Sequence, residues 1–493
     1  MFVQDLVRHA AARYGDRPAI IEGDRTLGFR EFEERTIRLG NALLARGLQP
    51  GDAVSCVLPN CIEELLTYVA LARTGLIRVG LNARDTPADH AFKVADSQSR
   101  AVITDGVDLP ETELHFTKED IDEMSLTGPG GVCDVPLDPS RTYRLAYTGG
   151  TTGRPKGVIL PLRTLQAQVT NYLLEHVPGI EVGDVMLHAA PVSHAGGSYF
   201  LPHLTSGATN VLLSAFRPGA FLEALERTGA QRTFLVPTMM AALLQEPNVA
   251  DVKTPNLKQI AYSASPIAPS VAEGCRKVFG EVLSQTYGQA EAPMTITHLR
   301  PSEHDRIGSA GRAYAMTAVR IVDAEGREMA TGDSGEIACR GAIVSDGYWN
   351  RPEATAETLR DGWLHTGDLG YLDEEGFVYL LDRENDVIIS GGFNVYPREV
   401  EDALTSHPAV IEAAVVSVQD EKWGEIVQAV VAVSAEVDSR DLDEFMRDRV
   451  AGYKRPRAYH VWDNLPKSAA GKILRRDVRD QIRQTTAQRE ASR

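Results

Sequence analysis

Amphipathic stretches that end at a glycine and lead into short β-branched runs recur from residue 27 onward, and this alternation restricts the chain to a layered α/β fold. In REFEERTIRLGNALLARG, Phe32, Ile37, Leu39, Leu43 and Leu44 recur near helical spacing, and Gly47 stands where a C-terminal cap belongs, before the strand-like VSCVLP. IEELLTYVALARTG before IRVGLN, AFLEALERTG before RTFLVP and VAEGCRKVFG before EVLSQTYG repeat the plan. Past residue 310 the helices thin out in favour of TAVRIVD, GEIACRG and FVYLLDR, which predicts a β-rich subdomain. After DRENDVIISGGFNVYP the order helix, strand, strand, helix predicts a small α+β domain of about a hundred residues. The closing RQTTAQREASR is polar and reads as a frayed terminus.

A chain of 493 residues exceeds what one core organises, so two or more domains are expected. The net charge of −17 argues against sequence-independent binding to nucleic acid or to an anionic membrane surface, while leaving room for a local phosphate site. Cys56, Cys61, Cys133, Cys275 and Cys339 are scattered without a C-x-x-C pair, which indicates neither a metal site nor a disulfide framework. With no secretory leader and no apolar run near ~18 residues, a soluble cytoplasmic protein without a membrane span is expected.

The stretch YTGGTTGRPKGV, residues 147 to 158, gathers Gly149, Gly150, Gly153 and Gly157 with Thr148, Thr151, Thr152 and Lys156. Glycines let backbone N–H groups converge on one anion, the hydroxyls add donors, and Lys156 adds a mobile charge, so a polyphosphate is the expected guest. The spacing is not that of a P-loop, because Lys156 follows Pro155 and precedes Gly157. Four more stretches belong with it. YGQAEAP offers the ring of Tyr287, the turn at Gly288 and the carboxylate of Glu291, a natural Mg²⁺ ligand beside phosphates. WLHTGDLG offers Asp368 as an acceptor for a diol such as ribose. LDRENDVIISGGFNVYPREVE places Arg383 after a strand and Ser390, Gly391 and Gly392 in a narrow loop, and LPKSAAGKILRRDV isolates Lys472 on a Gly-rich turn.

Taken together, the order and spacing of these five motifs resemble the adenylate-forming superfamily of acyl-CoA synthetases, luciferases and peptide-synthetase adenylation domains, over nearly the entire chain. The resemblance implies a large N-terminal layered α/β domain with a β-subdomain over residues 1–381, a hinge at 382–386, and a small mobile C-terminal α+β domain over 387–493. It implies that Thr148, Gly149, Gly150, Thr151, Thr152, Gly153 and Lys156 hold the ATP phosphates, and that Tyr287 and Gly288 meet adenine. Ser263, Ala264, Ser265 and Pro266 would line the other adenine face, Asp368 and Arg383 would bind ribose, and Glu291 would hold Mg²⁺. His194, Gly196, Gly197 and Tyr199, in PVSHAGGSYF, match the acid pocket. Lys472 matches the lysine that bridges the acid carboxylate and the α-phosphate, and with Glu291, Lys156 and Thr148 it makes the catalytic set. Ser390, Gly391, Gly392, Trp423, Tyr453 and Arg455 match positions that hold coenzyme A in relatives that use it.

Four positions depart from the commonest pattern: Gly149 for a frequent Ser, Ala290 for a Thr that contacts the α-phosphate, Asn385 for a hinge Asp or Lys, and Ser263-Ala264-Ser265 for Gly-Gly-Ala. The implied activity is activation of an aryl or medium-chain carboxylic acid with ATP, then transfer of the acyl group to CoA. A free-standing enzyme that loads a phosphopantetheinyl carrier protein is the alternative, and a binding protein with a degenerate ATP site is a second. An α-amino acid is disfavoured because no Asp accompanies the PVSHAGG motif. A homodimer is left open.

Overall fold

The computed structural model describes residues 3–136, 138–148, 154–265, 267–306, 308–383, 386–390, 393–420, 423–467 and 473–491, the last six of these for their backbone alone. The predicted alternation folds as helices over parallel sheets. The helices Ile62–Thr74 and Pro218–Thr228 end on Gly75 and Gly229, whose φ of 71° and 59° lie in the left-handed region that glycine enters without a Cβ penalty. Their apolar positions repeat at helical spacing and face the sheets, where Leu65, Leu66, Val69, Phe221 and Leu225 are buried.

Two sheets carry the large N-terminal domain. The first has six strands, in which Leu114–Thr117, Ala101–Thr104, Ala53–Val57, Ile77–Gly80 and Thr142–Thr148 run parallel and Lys156–Pro161 returns antiparallel. The second has fourteen. Its parallel part runs through Pro18–Glu22, Thr209–Leu212, Val185–His188, Arg232–Leu235, Gln259–Tyr262 and Leu283–Tyr287. The strand-rich stretch past residue 310 joins this same sheet through antiparallel pairings from Thr297–Leu299 to Thr317–Val322, and packs its own core around Ile321, Ile337, Cys339 and Val378. The C-terminal domain is a five-stranded sheet from Ile388–Ser390 to Ala458–Val461, with helices Pro397–Thr405, Ser439–Met446 and Arg475–Ala491.

The polar C-terminal stretch, expected to fray, is helical as far as Ala491. Val478 and Ile482 anchor its first turns against Ala414, Val416 and Val430, and once nucleated a helix propagates at little cost. All five cysteines are free and buried, and burial pushes the Cys56, Cys275 and Cys339 thiols up to about 12. Among the described residues no helix is long and apolar enough to cross a membrane.

Buried histidines give the fold an acid limit. Burial lowers His188, bonded to Asn210 Oδ1 at 2.9 Å, to about 4, and His203 to about 3. Both are neutral in the fold and gain protons on unfolding, so the stability they contribute is complete above pH 6.5 and is lost as pH falls toward their folded values. Going from pH 8 to pH 5 is expected to cost about 2 kcal/mol through His188 alone. Thermal melts of His188→Gln should therefore fall less over that range than those of the wild type, and equal slopes would show that His188 titrates normally.

Candidate active site

Ligands of open α/β sheets bind beyond the carboxyl ends of the strands, and there the predicted residues gather. The neighbouring parallel strands Gln259–Tyr262 and Leu283–Tyr287 deliver the 263–265 loop and the 287–291 loop side by side, and Thr142–Thr148 delivers Thr148. Ala264 has a φ of 78°, left-handed for a residue with a Cβ, which costs roughly 1 kcal/mol and fits a position where glycine is commoner. Ser263 is buried.

Asp368 is the focus of the site. The antiparallel pairing of Trp363–Leu372 with Phe377–Arg383 sets Asp368 opposite Arg383, and Arg383 Nε lies 3.3 Å from Asp368 Oδ1. The other carboxylate oxygen accepts the Tyr287 hydroxyl and the Gln289 side-chain amide, each at 2.6 Å. Burial, then Asp368, holds the Tyr287 hydroxyl well above its ordinary range, so it stays a neutral donor. Gly288 sits in a tight turn, where a Cβ would come within 2.4 Å of Met294 N. Gln289 went unnoticed in the sequence although it lies inside YGQAEAP, because an amide carries no motif of its own.

Glu291 and Lys156 are joined by a residue that sequence reasoning missed. The Tyr348 hydroxyl donates to Glu291 Oε1 at 2.7 Å, and Lys156 Nζ lies 5.0 Å from the centre of the Tyr348 ring. The main chain repeats the link: Ser345 N–H donates to Glu291 O, Trp349 N–H to Gly157 O, and Ile159 N–H to Gly347 O, each at 2.8 Å. Among the described residues no cluster of three or more His, Cys, Asp or Glu could hold a metal. A lone carboxylate with one free oxygen fits Mg²⁺ held mainly by phosphate and water oxygens. Ala290 packs against the N-terminal core and offers no hydroxyl. Thr148 pairs with Lys156 across the hairpin, and Gly149, Gly150, Thr151, Thr152, Gly153 and Pro266 lie outside the described residues.

Around the expected acid pocket, His194 is half-buried and its Nδ1 meets Ser193 Oγ at 2.9 Å. Burial and the neighbouring Arg144 and Arg78 lower it to about 4. A Cβ on Gly196 or Gly197 would meet the carbonyls of Ala190 or Val192, so close backbone packing explains both glycines. Tyr199 is 1% exposed, stacked on Phe234 and bonded to His176 Nε2 at 2.9 Å, so it backs the loop and presents no open face.

The expected CoA residues lie in the C-terminal domain. Ser390 pairs with Gly424 on one side and with Phe393 on the other, and Phe393 packs against the Tyr453 ring, which puts Trp423 and Tyr453 at the same end of the sheet. Trp423 is 40% exposed with the Arg457 guanidinium 5.6 Å from its ring, and Tyr453 is 39% exposed against Phe393. Arg455 Nε lies 3.2 Å from Asp443 Oδ1. Gly391, Gly392, Asn385 and Lys472 lie outside the described residues. Arg475 reaches Asp382 at 2.6 Å and Asp386 at 3.1 Å while gripping Glu401 with two nitrogens.

A family model described as AMP-binding enzyme matches residues 7–349, and one described as AMP-binding enzyme C-terminal domain matches residues 399–472. Feruloyl-CoA synthase of Amycolatopsis sp is 37% identical, over 94% of this chain and 95% of its own. The medium/long-chain-fatty-acid–CoA ligase FadD8 of Mycobacterium tuberculosis is 34% identical, over 96% and 89%. Among solved structures, o-succinylbenzoate CoA synthetase (MenE) from Bacillus subtilis, in complex with its acyl-adenylate intermediate, matches with a TM-score of 0.87 at 32% identity, over 96% and 97%.

Proposed function

Because the chain belongs to the AMP-binding enzymes, the adenylate-forming superfamily, we propose that it is an AMP-forming carboxylate–CoA ligase acting on an aryl or medium-chain acid. The carboxylate attacks the α-phosphorus of ATP, the bond to pyrophosphate breaks, and an acyl adenylate forms. The CoA thiol then attacks the acyl carbonyl and AMP leaves. The observation that carries this reading is the convergence of Tyr287, Gln289 and Arg383 on Asp368 at the strand ends, a few residues from Glu291.

In this reading Thr148, Lys156 and the intervening glycines and threonines take the β- and γ-phosphates. Tyr287 and the 263–266 loop enclose adenine, and Asp368 with Arg383 takes the ribose hydroxyls. Mg²⁺, held at Glu291, would neutralise phosphate charge. Lys472 stands between the two approaching anions, where opposite charge lowers the barrier most. Residues 382–386 are the hinge between the 1–381 and 387–493 domains, and Ser390 to Gly392 line the path of the thiol. Trp423 and Tyr453 supply exposed aromatic faces and Arg455 a cation for the nucleotide end of CoA.

The test is acid-dependent AMP release over a panel of aryl and medium-chain acids, with and without CoA. Acyl-CoA and AMP are expected in equal amounts. Arg455→Ala should raise the KM for CoA about 10-fold, the size of one lost charge contact, with pyrophosphate exchange unchanged. Thioester on a phosphopantetheinyl carrier protein and none on CoA would replace the CoA reading with the carrier-protein one.

A further inference from the structure

The helix Ile62–Thr74 is buried at every position except Tyr68. Tyr68, Arg144 and His194 each keep accessible surface, yet burial is the leading cause of the shifted pKa of all three. Arg144 donates to the carbonyl of Ser193, the residue before His194, so these groups meet at the PVSHAGG loop. The cluster is cationic. The parallel register sets Arg78 beside Arg144, and both guanidinia reach the Ser193 carbonyl, Arg144 Nη2 at 3.1 Å and Arg78 Nη1 at 3.5 Å.

Glu64, 1% exposed, is bonded to Arg78, 2% exposed. Among the described residues no carboxylate pairs with Arg144, and its Nε has no hydrogen-bond partner. Farther out, Asp85 and Lys93 neutralise each other at 2.5 Å. His194 is neutral at physiological pH, so two guanidinia face one carboxylate and one positive charge is left over. Arginine cannot shed its proton to escape burial, and an enclosed cation without a counter-charge is costly. An anion completes the arrangement.

We propose that Arg144 anchors a second carboxylate of the acid substrate, so that the pocket takes dicarboxylic acids whose other end is activated. Four residues of strand, about 13 Å, separate Arg144 from Thr148 at the start of the phosphate loop, which sets the anchor well back from the nucleotide and leaves room for a medium-chain or single-ring diacid. The inference rests on the ligase reading for which of the two carboxylates reacts. The simpler alternative is that Arg144 only holds the Ser193 carbonyl and thereby positions His194.

Suberate and octanoate, equal in length and different in one carboxylate, separate these roles. In pyrophosphate exchange the wild type should prefer suberate in kcat/KM by at least about 10-fold, the low end for one charge-assisted pair. Arg144→Met should erase the preference, Arg144→Lys should keep part of it, and the KM for ATP should stay the same in both. The Tm of Arg144→Met without ligand should not fall, since the change removes a cation that lacks a counter-ion. Wild type using octanoate as well as suberate, or Arg144→Met slowing both acids alike, overturns the subsite. Exchange with monocarboxylates alone does so too, and leaves the ligase reading standing. If no acid drives exchange, the ligase reading falls and thermal shift decides the subsite. Stabilisation by suberate in wild type and not in Arg144→Met then supports it, and equal shifts overturn it.

Discussion

Lys472→Ala is expected to slow acid-dependent pyrophosphate exchange by at least ~10²- to 10³-fold, the usual loss for one preorganised charge-stabilising group. Thioester formation from preformed acyl adenylate should be nearly untouched. In the first half-reaction a carboxylate approaches a phosphate, and negative charge is greatest when the new P–O bond is half made. In the second, a thiol meets a neutral acyl carbonyl and the leaving group already carries its charge. A lysine beyond the proposed 382–386 hinge can serve the first step and be withdrawn for the second by a hinge rotation of the kind common in ligand-closing enzymes. Measuring the two half-reactions separately, with circular dichroism to verify folding, decides it. Equal loss in both would rule out the division of labour.

Asp368→Ala should raise the KM for ATP about 10²-fold, because two charge-assisted contacts to a ligand together contribute about 3 kcal/mol. The same change strands the Tyr287 hydroxyl, the Gln289 amide and Arg383, which now share that carboxylate, so the Tm should fall as well. Asp368→Asn keeps the shape and one acceptor oxygen and should lie between. ATP titration beside thermal melts distinguishes the two effects. A lower Tm with an unchanged KM for ATP would make Asp368 a structural carboxylate only.

Helices capped by glycine were legible because a 3.6-residue period and a left-handed stop are both local signals, as in Ile62–Thr74 with Gly75. Asp368 and Arg383 were legible as separate motif residues. Their facing register was not, because it is set by the turn between two strands. Tyr348 was invisible as a partner of Glu291, since 57 residues separate them and only the folded sheets bring them together. Tyr199 was read as a pocket residue from its neighbours in the chain, whereas its ring is claimed by Phe234 and His176. One signal lay in plain view. An arginine within the apolar run IRVG, buried from Ile77 to Val79, is out of place in such a strand, and it meets the arginine of YRLAY at Ser193.

The segment from Ser345 to Trp349 ties the hairpin that carries Lys156 to the loop that carries Glu291 through peptide groups. Peptide hydrogen bonds are indifferent to which side chain each residue bears. The gap between the cation and the carboxylate is thus a property of the scaffold, insulated from substitution nearby. Such a frame can tolerate drift at Ala290 or at Ser263 to Ser265 while the spacing that the proposed triphosphate and metal would demand stays fixed. Selection would then be free to rework the proposed acid pocket without retuning the proposed nucleotide half of the site.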